Sequence, residues 1–240
     1  MNVEIEIVPF REEHIPEILE LWHRQYRLEL KIGVLPNTWG LLKKEVEAFL
    51  RKQLSSEYSA VALRGGDLIG YMLFQVFPFH GEDTAFCPVV GHAEKSRKKV
   101  AERLYQHLSE KLVAKGVLSH CITYFAHDVD FEEAVFALGF GMIVIDVFRD
   151  VSPIQSRPGD VKIVRATKNN LANIKLLDEE SRAYYLGAPI FLNRGSMNAD
   201  YYRNLLNRED MAVFLAFVEE IPVGFMSVRR NKELRLIDLC

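Results

Sequence analysis

The chain has 240 residues, of which 49% are hydrophobic and 26% are charged, with 14 Gly and 9 Pro. This is the composition of a globular protein of one or two domains, and it excludes a collagen-like, low-complexity or largely disordered chain. Thirty Lys and Arg against 33 Asp and Glu give a net charge of -3 at pH 7, so no overall basic field favours nucleic acid as a partner.

The first 54 residues predict a strand followed by two helices. Val3–Val8 alternates apolar and polar residues, which is the pattern of a strand. From Glu12 to about Tyr26 the apolar residues recur at helical spacing, and a second amphipathic helix is predicted over about Leu41–Leu54.

A hairpin and a further strand follow these helices. Tyr58–Leu63 and Leu68–Phe77 are β-rich runs, and the Gly65-Gly66 pair between them supplies the positive φ that a tight turn needs. Thr84–Gly91 is the next predicted strand.

The rest of the first 150 residues alternates helix and strand. Leucines every four residues predict a long helix over Val100–Leu112, and Ser119–Ala126 predicts a strand parallel to the preceding one, because a helix connects the two. Asp130 and Glu133 have the spacing of a capping box, which predicts the start of a short helix. Met142–Phe148 predicts the last strand of this part of the chain.

The opening pattern then recurs. Val151–Asp160 has two prolines and a glycine and predicts a linker. After it, Ile163-Val164 repeats Ile7-Val8 at an offset of 156, and Val223–Met226 repeats Ile69–Met72 at an offset of 154. Offsets this close indicate duplication with a small deletion. We therefore predict a complete unit over residues 1–150, a linker over 151–160 and an incomplete second unit over 161–240.

The cysteines and the N-terminus indicate a cytoplasmic protein. Cys87, Cys121 and Cys240 are an odd number without CxxC or CxxxH spacing, so we expect neither a disulfide framework nor a metal site. No apolar run reaches the roughly 18–20 residues that span a bilayer. The opening MNVEIEIVPFREE also lacks a signal core, so no membrane partner is expected.

The order of predicted elements over Val3–Asp150 resembles the GNAT family of acetyl-CoA-dependent N-acetyltransferases. Four passages carry the resemblance: VEIEIVPFREEHIPEILELW, AVALRGGDLIGYMLF, the segment from Val90 through Leu104-Tyr105, and AVFALGFG. The resemblance implies a mixed α/β acyl-CoA N-acyltransferase fold of the tandem type, with the second unit incomplete. It also implies acetyl-CoA as cosubstrate, without a metal, and an amine of a small molecule or peptide as acceptor.

The start of the long helix is the candidate cofactor site. Unpaired N–H groups and a partial positive charge make a helix N-terminus a natural partner for a pyrophosphate. In the family, a Gln/Arg-x-x-Gly-x-Gly/Ala loop precedes this helix, whereas this chain has Ser96, Arg97, Lys98, Lys99, Val100 and Ala101, of which only Ala101 matches. The three basic side chains either bind phosphate in place of the glycine or form a solvated helix start without a ligand. The resemblance also places the pantetheine arm where the two parallel strands diverge, against the backbone of Val89, Val90 and Gly91.

The resemblance implies direct attack of a neutral amine on the thioester, which needs a base and an acid. Asp128 occupies the position of a family Asn, and Val135, which cannot donate a proton, that of a family Tyr. Tyr124 and Tyr105 are alternative acids. The candidate bases are histidines and an aspartate at the ends of the two strands: His92, His120, His127 and Asp128. Each has the alternative role of a hydrogen-bonded structural residue.

Two functions remain open on the sequence. The first is an N-acetyltransferase whose acceptor pocket is lined by Trp22, Tyr26 and Trp39, although aromatics at helical spacing also suit core packing. The second is a catalytically degenerate GNAT-like domain that binds CoA or serves as a scaffold. The incomplete second unit, ending at Leu234–Cys240, predicts an exposed sheet edge. Three alternatives remain open for this edge: it packs on the first unit, it pairs with a second copy in a homodimer, or the gene product continues beyond Cys240.

Overall fold

The computed structural model describes residues 4–33, 35, 37–79, 82–95, 99–147, 149, 152–153, 159–187, 195 and 197–229. These residues form two compact units, 4–149 and 152–229, each of which combines β-sheet with helices. The predicted mixed α/β fold is confirmed. No helix within the described ranges is long and apolar enough to cross a membrane.

Unit 1 is a twisted set of strands with helices on both faces. Its elements in chain order are β1 (Ile5–Pro9), α1 (Ile15–Ile32), α2 (Trp39–Lys52), β2 (Ser59–Arg64), β3 (Asp67–Leu73), β4 (Gln75–Phe79), β5 (Glu82–Cys87), β6 (His92–Glu94), α3 (Val100–Ala114), β7 (Ser119–Ile122) and α4 (Val129–Ala137). One sheet has the order β1-β2-β3-β6 and the other β4-β5-β7.

Two of the predicted strands are interrupted in the structure. The run Leu68–Phe77 divides at Phe74 into β3 and β4, and Thr84–Gly91 ends at Cys87. The reason is a turn at Pro88–Gly91, closed by a hydrogen bond from Gly91 N–H to the Pro88 carbonyl (2.7 Å). This turn separates β5 from β6. As a result β4 pairs with β5 and β3 pairs with β6, and the registers of the two pairings do not continue into each other.

The helices enclose the first sheet from both sides. On one face, α1 and α2 bury Trp22, Tyr26 and Leu50 completely. On the other, α3 lays a stripe of apolar residues across β1, β2 and β3, as the four-residue spacing predicted. That stripe consists of Val100, Leu104, Leu108 and Leu112.

The carboxyl-terminal part of unit 1 departs further from the predictions. The strand predicted over Ser119–Ala126 is only β7, which pairs in parallel with β5. The short helix α4 begins after Asp128, not at Asp130, because the Asp128 carboxylate accepts a hydrogen bond from the Phe131 N–H (3.3 Å). Residues 142–147 of the last predicted strand form no strand, and Phe148 lies outside the described residues.

Unit 2 repeats the first half of unit 1. Its elements are β8 (Lys162–Arg165), α5 (Leu171–Leu186), α6 (Ala199–Asn207), β9 (Met211–Val218) and β10 (Ile221–Arg229). Its antiparallel sheet has the order β8-β9-β10. Most of the predicted linker and the predicted edge at Leu234–Cys240 lie outside the described residues.

The pairing register of the two sheets is the same at equivalent positions. Val8 faces Val61 in unit 1, and Val164 faces Leu215 in unit 2. Both hairpins also carry a bulge at the same place, at Ile69 in one and Val223 in the other. The offsets of 156 and 154 therefore hold for individual hydrogen-bonded pairs as well as for the sequence pattern.

The two hairpin turns differ in their residues. Gly65 and Gly66 have φ angles of 60° and 89°, whereas Glu219 and Glu220 have φ angles of 48° and 65°. A residue with a Cβ is sterically destabilised at positive φ, whereas glycine is not.

We expect Glu220→Gly to stabilise unit 2 by about 0.5–1 kcal/mol, because it removes that steric cost. Slower amide hydrogen exchange in β9 and β10 would measure the gain. Gly66→Ala is the matched control in unit 1 and should act in the opposite direction. Unchanged or faster exchange in Glu220→Gly would show that the turn is not strained.

Candidate functional site

The parallel strands β5 and β7 diverge at their carboxyl ends, where binding sites of α/β sheets commonly lie. The last hydrogen bond between them runs from Thr123 N–H to the Cys87 carbonyl (2.9 Å). Beyond it, the chain enters β6 on one side and the turn before α4 on the other. The backbone pairing of the two strands thus ends here, and the splay that would hold a pantetheine arm stays a prediction.

The His92 side chain fills this divergence. Its Nε2 lies 2.9 Å from the Thr123 carbonyl, so Nε2 carries the proton and donates it. The ring stacks on Phe131 at 4.2 Å and is 1% exposed. Burial lowers the pKa of His92 below its ordinary value, against smaller raising effects of the Thr123 carbonyl and Asp128. His92 is thus a neutral histidine of β6 that is hydrogen-bonded to the residue after β7. Catalysis by His92 stays a prediction.

We expect the neutral state of His92 to make unit 1 less stable in mild acid. Since the pKa of His92 is lower in the folded than in the unfolded chain, its contribution is complete above about pH 6.5 and is lost as the pH falls below that value. Urea unfolding followed by tryptophan fluorescence at pH 7.5 and 5.5 measures the loss, because both tryptophans lie in unit 1. His92→Gln, whose amide can still donate to Thr123, should reduce the pH dependence. An undiminished dependence in His92→Gln would contradict this assignment.

The carbonyl groups of the predicted pantetheine-binding residues are used within the protein. Trp22 Nε1 donates to the Val89 carbonyl (3.0 Å) and the Tyr71 hydroxyl to the Val90 carbonyl (2.9 Å). The Gly91 carbonyl accepts from Leu73 N–H (2.8 Å). Val89 and Val90 are also buried in the core, so these three residues form a tight turn instead of the predicted open strand.

A carboxylate side chain of the protein itself already binds the first turn of α3. Ala101 N–H donates to a carboxylate oxygen of Glu94 (3.0 Å), and the Val100 side chain is buried against β3. A pyrophosphate at this place would lose one amide donor and approach a like charge, which costs about 1–4 kcal/mol at 4 Å. The Glu94 carboxylate therefore does not fit a pyrophosphate in this arrangement, whereas Lys99 is an exposed cation. Ser96, Arg97 and Lys98 lie outside the described residues.

Asp128 and His127 meet the carboxyl-terminal half of α1. Gln25 Nε2 donates to one oxygen of Asp128 (3.2 Å), while the other oxygen caps α4. One turn further along α1, the Glu29 carboxylate contacts His127 Nδ1. Two residues spaced by four on α1 therefore hold the turn at 127–128.

The His127–Glu29 pair is the arrangement with the clearest capacity for proton transfer. The two side chains are only 15% and 17% exposed. A carboxylate that accepts a hydrogen bond from Nδ1 would leave Nε2 as the ring atom that can accept a proton. Sequence reasoning included His127 but missed Glu29. The available signal was that Glu29 continues the buried stripe of Trp22 and Tyr26 with a charged residue.

The candidate acids differ in what they contact. Tyr124 lies beside Glu132, and burial, followed by this carboxylate, raises the pKa of its phenol. Tyr105 donates to His120 Nδ1 (2.8 Å), and His120 Nε2 donates to the Val117 carbonyl (3.1 Å). Both polar atoms of His120 are thus used internally. Because the Tyr124 hydroxyl also has a side-chain hydrogen bond, with Glu132, these contacts leave both tyrosines as candidate acids.

The predicted acceptor-lining aromatics form one stacked cluster. Trp22 stacks with Tyr26 at 5.2 Å and with Trp39 at 5.4 Å, and His23 lies on Trp39 at 4.0 Å. Trp22 and Tyr26 are fully buried, so the core-packing alternative holds for these two. Trp39 is partly buried at the edge of the cluster.

Comparison with known proteins shows similarity only in structure. No protein-family model matches the chain, and no curated protein matches its sequence. An aminoglycoside N-acetyltransferase in complex with CoA is 15% identical over 64% of this chain and 98% of its own, with a TM-score of 0.46. A predicted acetyltransferase with acetyl-CoA from Clostridium acetobutylicum is 14% identical over 62% and 97%, with a TM-score of 0.47. A ribosomal-protein-alanine N-acetyltransferase from Brucella melitensis is 11% identical over 61% and 99%, with a TM-score of 0.43.

Proposed function

We propose that unit 1 is an N-acetyltransferase that transfers an acetyl group from acetyl-CoA to an amine of a small molecule or peptide. The observation that carries this proposal is the His127–Glu29 pair beside the carboxyl ends of β5 and β7. An amine that attacks an acyl carbon must lose a proton, and we propose that His127 Nε2 accepts it. Glu29 stabilises the imidazolium that results, in the manner of a carboxylate–imidazole pair.

We propose Tyr124 as the general acid of this reaction. Its phenol is protonated at neutral pH, as that of an ordinary tyrosine is, so the hydroxyl has a proton to donate. Asp128 is proposed as a positioning residue, because its two oxygens hold α4 and Gln25.

A second candidate function rests on Glu94. Its carboxylate at the start of α3 favours a degenerate unit that does not take up CoA at this helix and serves as a scaffold. The two candidates differ in what Glu94 does: in the first it must release Ala101 N–H, and in the second it stays bound.

The deciding experiment compares thermal unfolding of the full chain and of Glu94→Gln, each with and without millimolar acetyl-CoA. A ligand at about 100 times its Kd stabilises by about 2.7 kcal/mol, which raises Tm by about 5–11 °C for a chain of this size. The same samples are then assayed for amine-dependent acetylation of aminoglycoside, polyamine and peptide substrates by mass spectrometry.

Each result selects one function. Stabilisation of the natural chain together with amine-dependent acetylation supports the acetyltransferase. Stabilisation of Glu94→Gln alone supports the degenerate unit, in which the carboxylate excludes CoA. No stabilisation of either protein contradicts CoA binding by this unit and overturns the acetyltransferase, which leaves the scaffold function.

A further inference from the structure

The two repeated sheets differ in how one of their faces is covered. In unit 1, α3 packs on a set of six apolar residues: Ile5, Ile7, Ala60, Ile69, Met72 and Phe74. Four of these six are at most 7% exposed. The equivalent residues of unit 2, at the offsets shared by the two registers, are Val161, Ile163, Phe214, Val223, Met226 and Val228. We refer to these six as the apolar face of unit 2.

The apolar face of unit 2 is exposed to solvent. The exposed fractions of its six residues lie between 37% for Phe214 and 67% for Met226. This corresponds to roughly 600 Å², at the upper limit for the largest apolar patch of a monomeric protein. It also approaches the roughly 800 Å² per partner of a standard protein–protein interface.

A glycine on this face indicates what covers it. In unit 1, Gly70 allows α3 to approach the sheet closely: a Cβ at Gly70 would lie 2.6 Å from Val100 Cγ1. Gly224 is the equivalent residue of unit 2, and both glycines pair with an alanine of the neighbouring strand. A Cβ at Gly224 would meet nothing within 4 Å. Gly224 therefore leaves room for a close approach that no described element of unit 2 makes.

We propose that the apolar face of unit 2 binds an amphipathic α-helix of a partner protein, as the equivalent face of unit 1 binds α3. Such a helix carries apolar residues every four positions and places one of them over Gly224. The proposal concerns unit 2 alone and is independent of catalysis in unit 1.

The test uses the full chain and a fluorescein-labelled peptide with the sequence of residues 99–116, which contains α3. Fluorescence anisotropy should show saturable binding. Met226→Lys should weaken the binding by about tenfold or more, because it places a charge in an apolar contact. Tyr184→Lys, which changes a 71% exposed residue of α5, is the matched control and should leave binding unchanged.

Gly224→Val separates helix binding from unspecific adhesion. The added side chain has free space in the unbound protein, so the fold is retained, yet it blocks the close approach of a helix. Specific binding should therefore fall by about tenfold or more, whereas unspecific hydrophobic adhesion should increase. Equal or stronger binding by Gly224→Val, or no saturable binding by the natural chain, would overturn the proposal. Dimerisation in sedimentation that Met226→Lys abolishes, without peptide binding, would overturn it in favour of a second copy of the chain.

Discussion

Replacing His127 by Ala should lower kcat/KM for amine acetylation by about 10²- to 10⁴-fold, the usual contribution of a general base. The reason is the loss of the imidazole that we propose as the acceptor of the amine proton. Steady-state kinetics with the best acceptor from the substrate panel measures the effect. Added imidazole should restore part of the rate in His127→Ala, because it can occupy the space of the missing ring.

Two further variants distinguish catalysis from folding. Glu29→Gln keeps the size of the side chain but removes the charge that stabilises the imidazolium, so kcat should fall while KM changes little. His107→Ala removes a histidine of α3 that takes no part in this arrangement, and it should retain the natural rate. A His127→Ala protein with full activity and an unchanged pH profile would make His127 a structural residue and reopen the choice of base.

Gly70→Ala should destabilise unit 1 by about 1–3 kcal/mol, the usual cost of overpacking a close contact. The new Cβ would stand 2.6 Å from Val100 Cγ1 and 3.3 Å from the Ala93 carbonyl oxygen, so α3 must shift away from the sheet. Urea unfolding followed by tryptophan fluorescence reports on unit 1, because Trp22 and Trp39 are the only two tryptophans of the chain. The midpoint should move to lower urea with the slope retained.

Gly224→Ala is the internal control for this prediction. The equivalent Cβ meets nothing within 4 Å, and alanine loses less conformational freedom on folding than glycine. Amide exchange in β10 should therefore stay equal or become slower, while the tryptophan transition does not move. Equal destabilisation by both substitutions would show that the strand itself, and not the helix above it, requires glycine.

The candidate site was predictable in part. His127 and Asp128 could be selected because they follow a strand, and Tyr124 because it precedes them. Glu29 is 98 positions away from His127 in sequence, and nothing in either local pattern indicates that they meet. The same applies to Glu94, whose contact with Ala101 depends on the conformation of the intervening loop.

The fold divides in the same way. The helices α1, α2 and α3, the first hairpin and the repeat could be predicted from the sequence, because hydrophobic period and turn residues act over a few neighbouring positions. The breaks at Phe74 and Cys87, and the missing strand over 142–147, depend on which strands pair and in which register. The hydrogen bond from His92 of β6 to the Thr123 carbonyl also depends on this pairing. Local sequence thus determined where helices and turns form. Only the tertiary structure decided how the strands align and which distant side chains meet, because these depend on hydrogen bonds and packing between segments far apart in the chain.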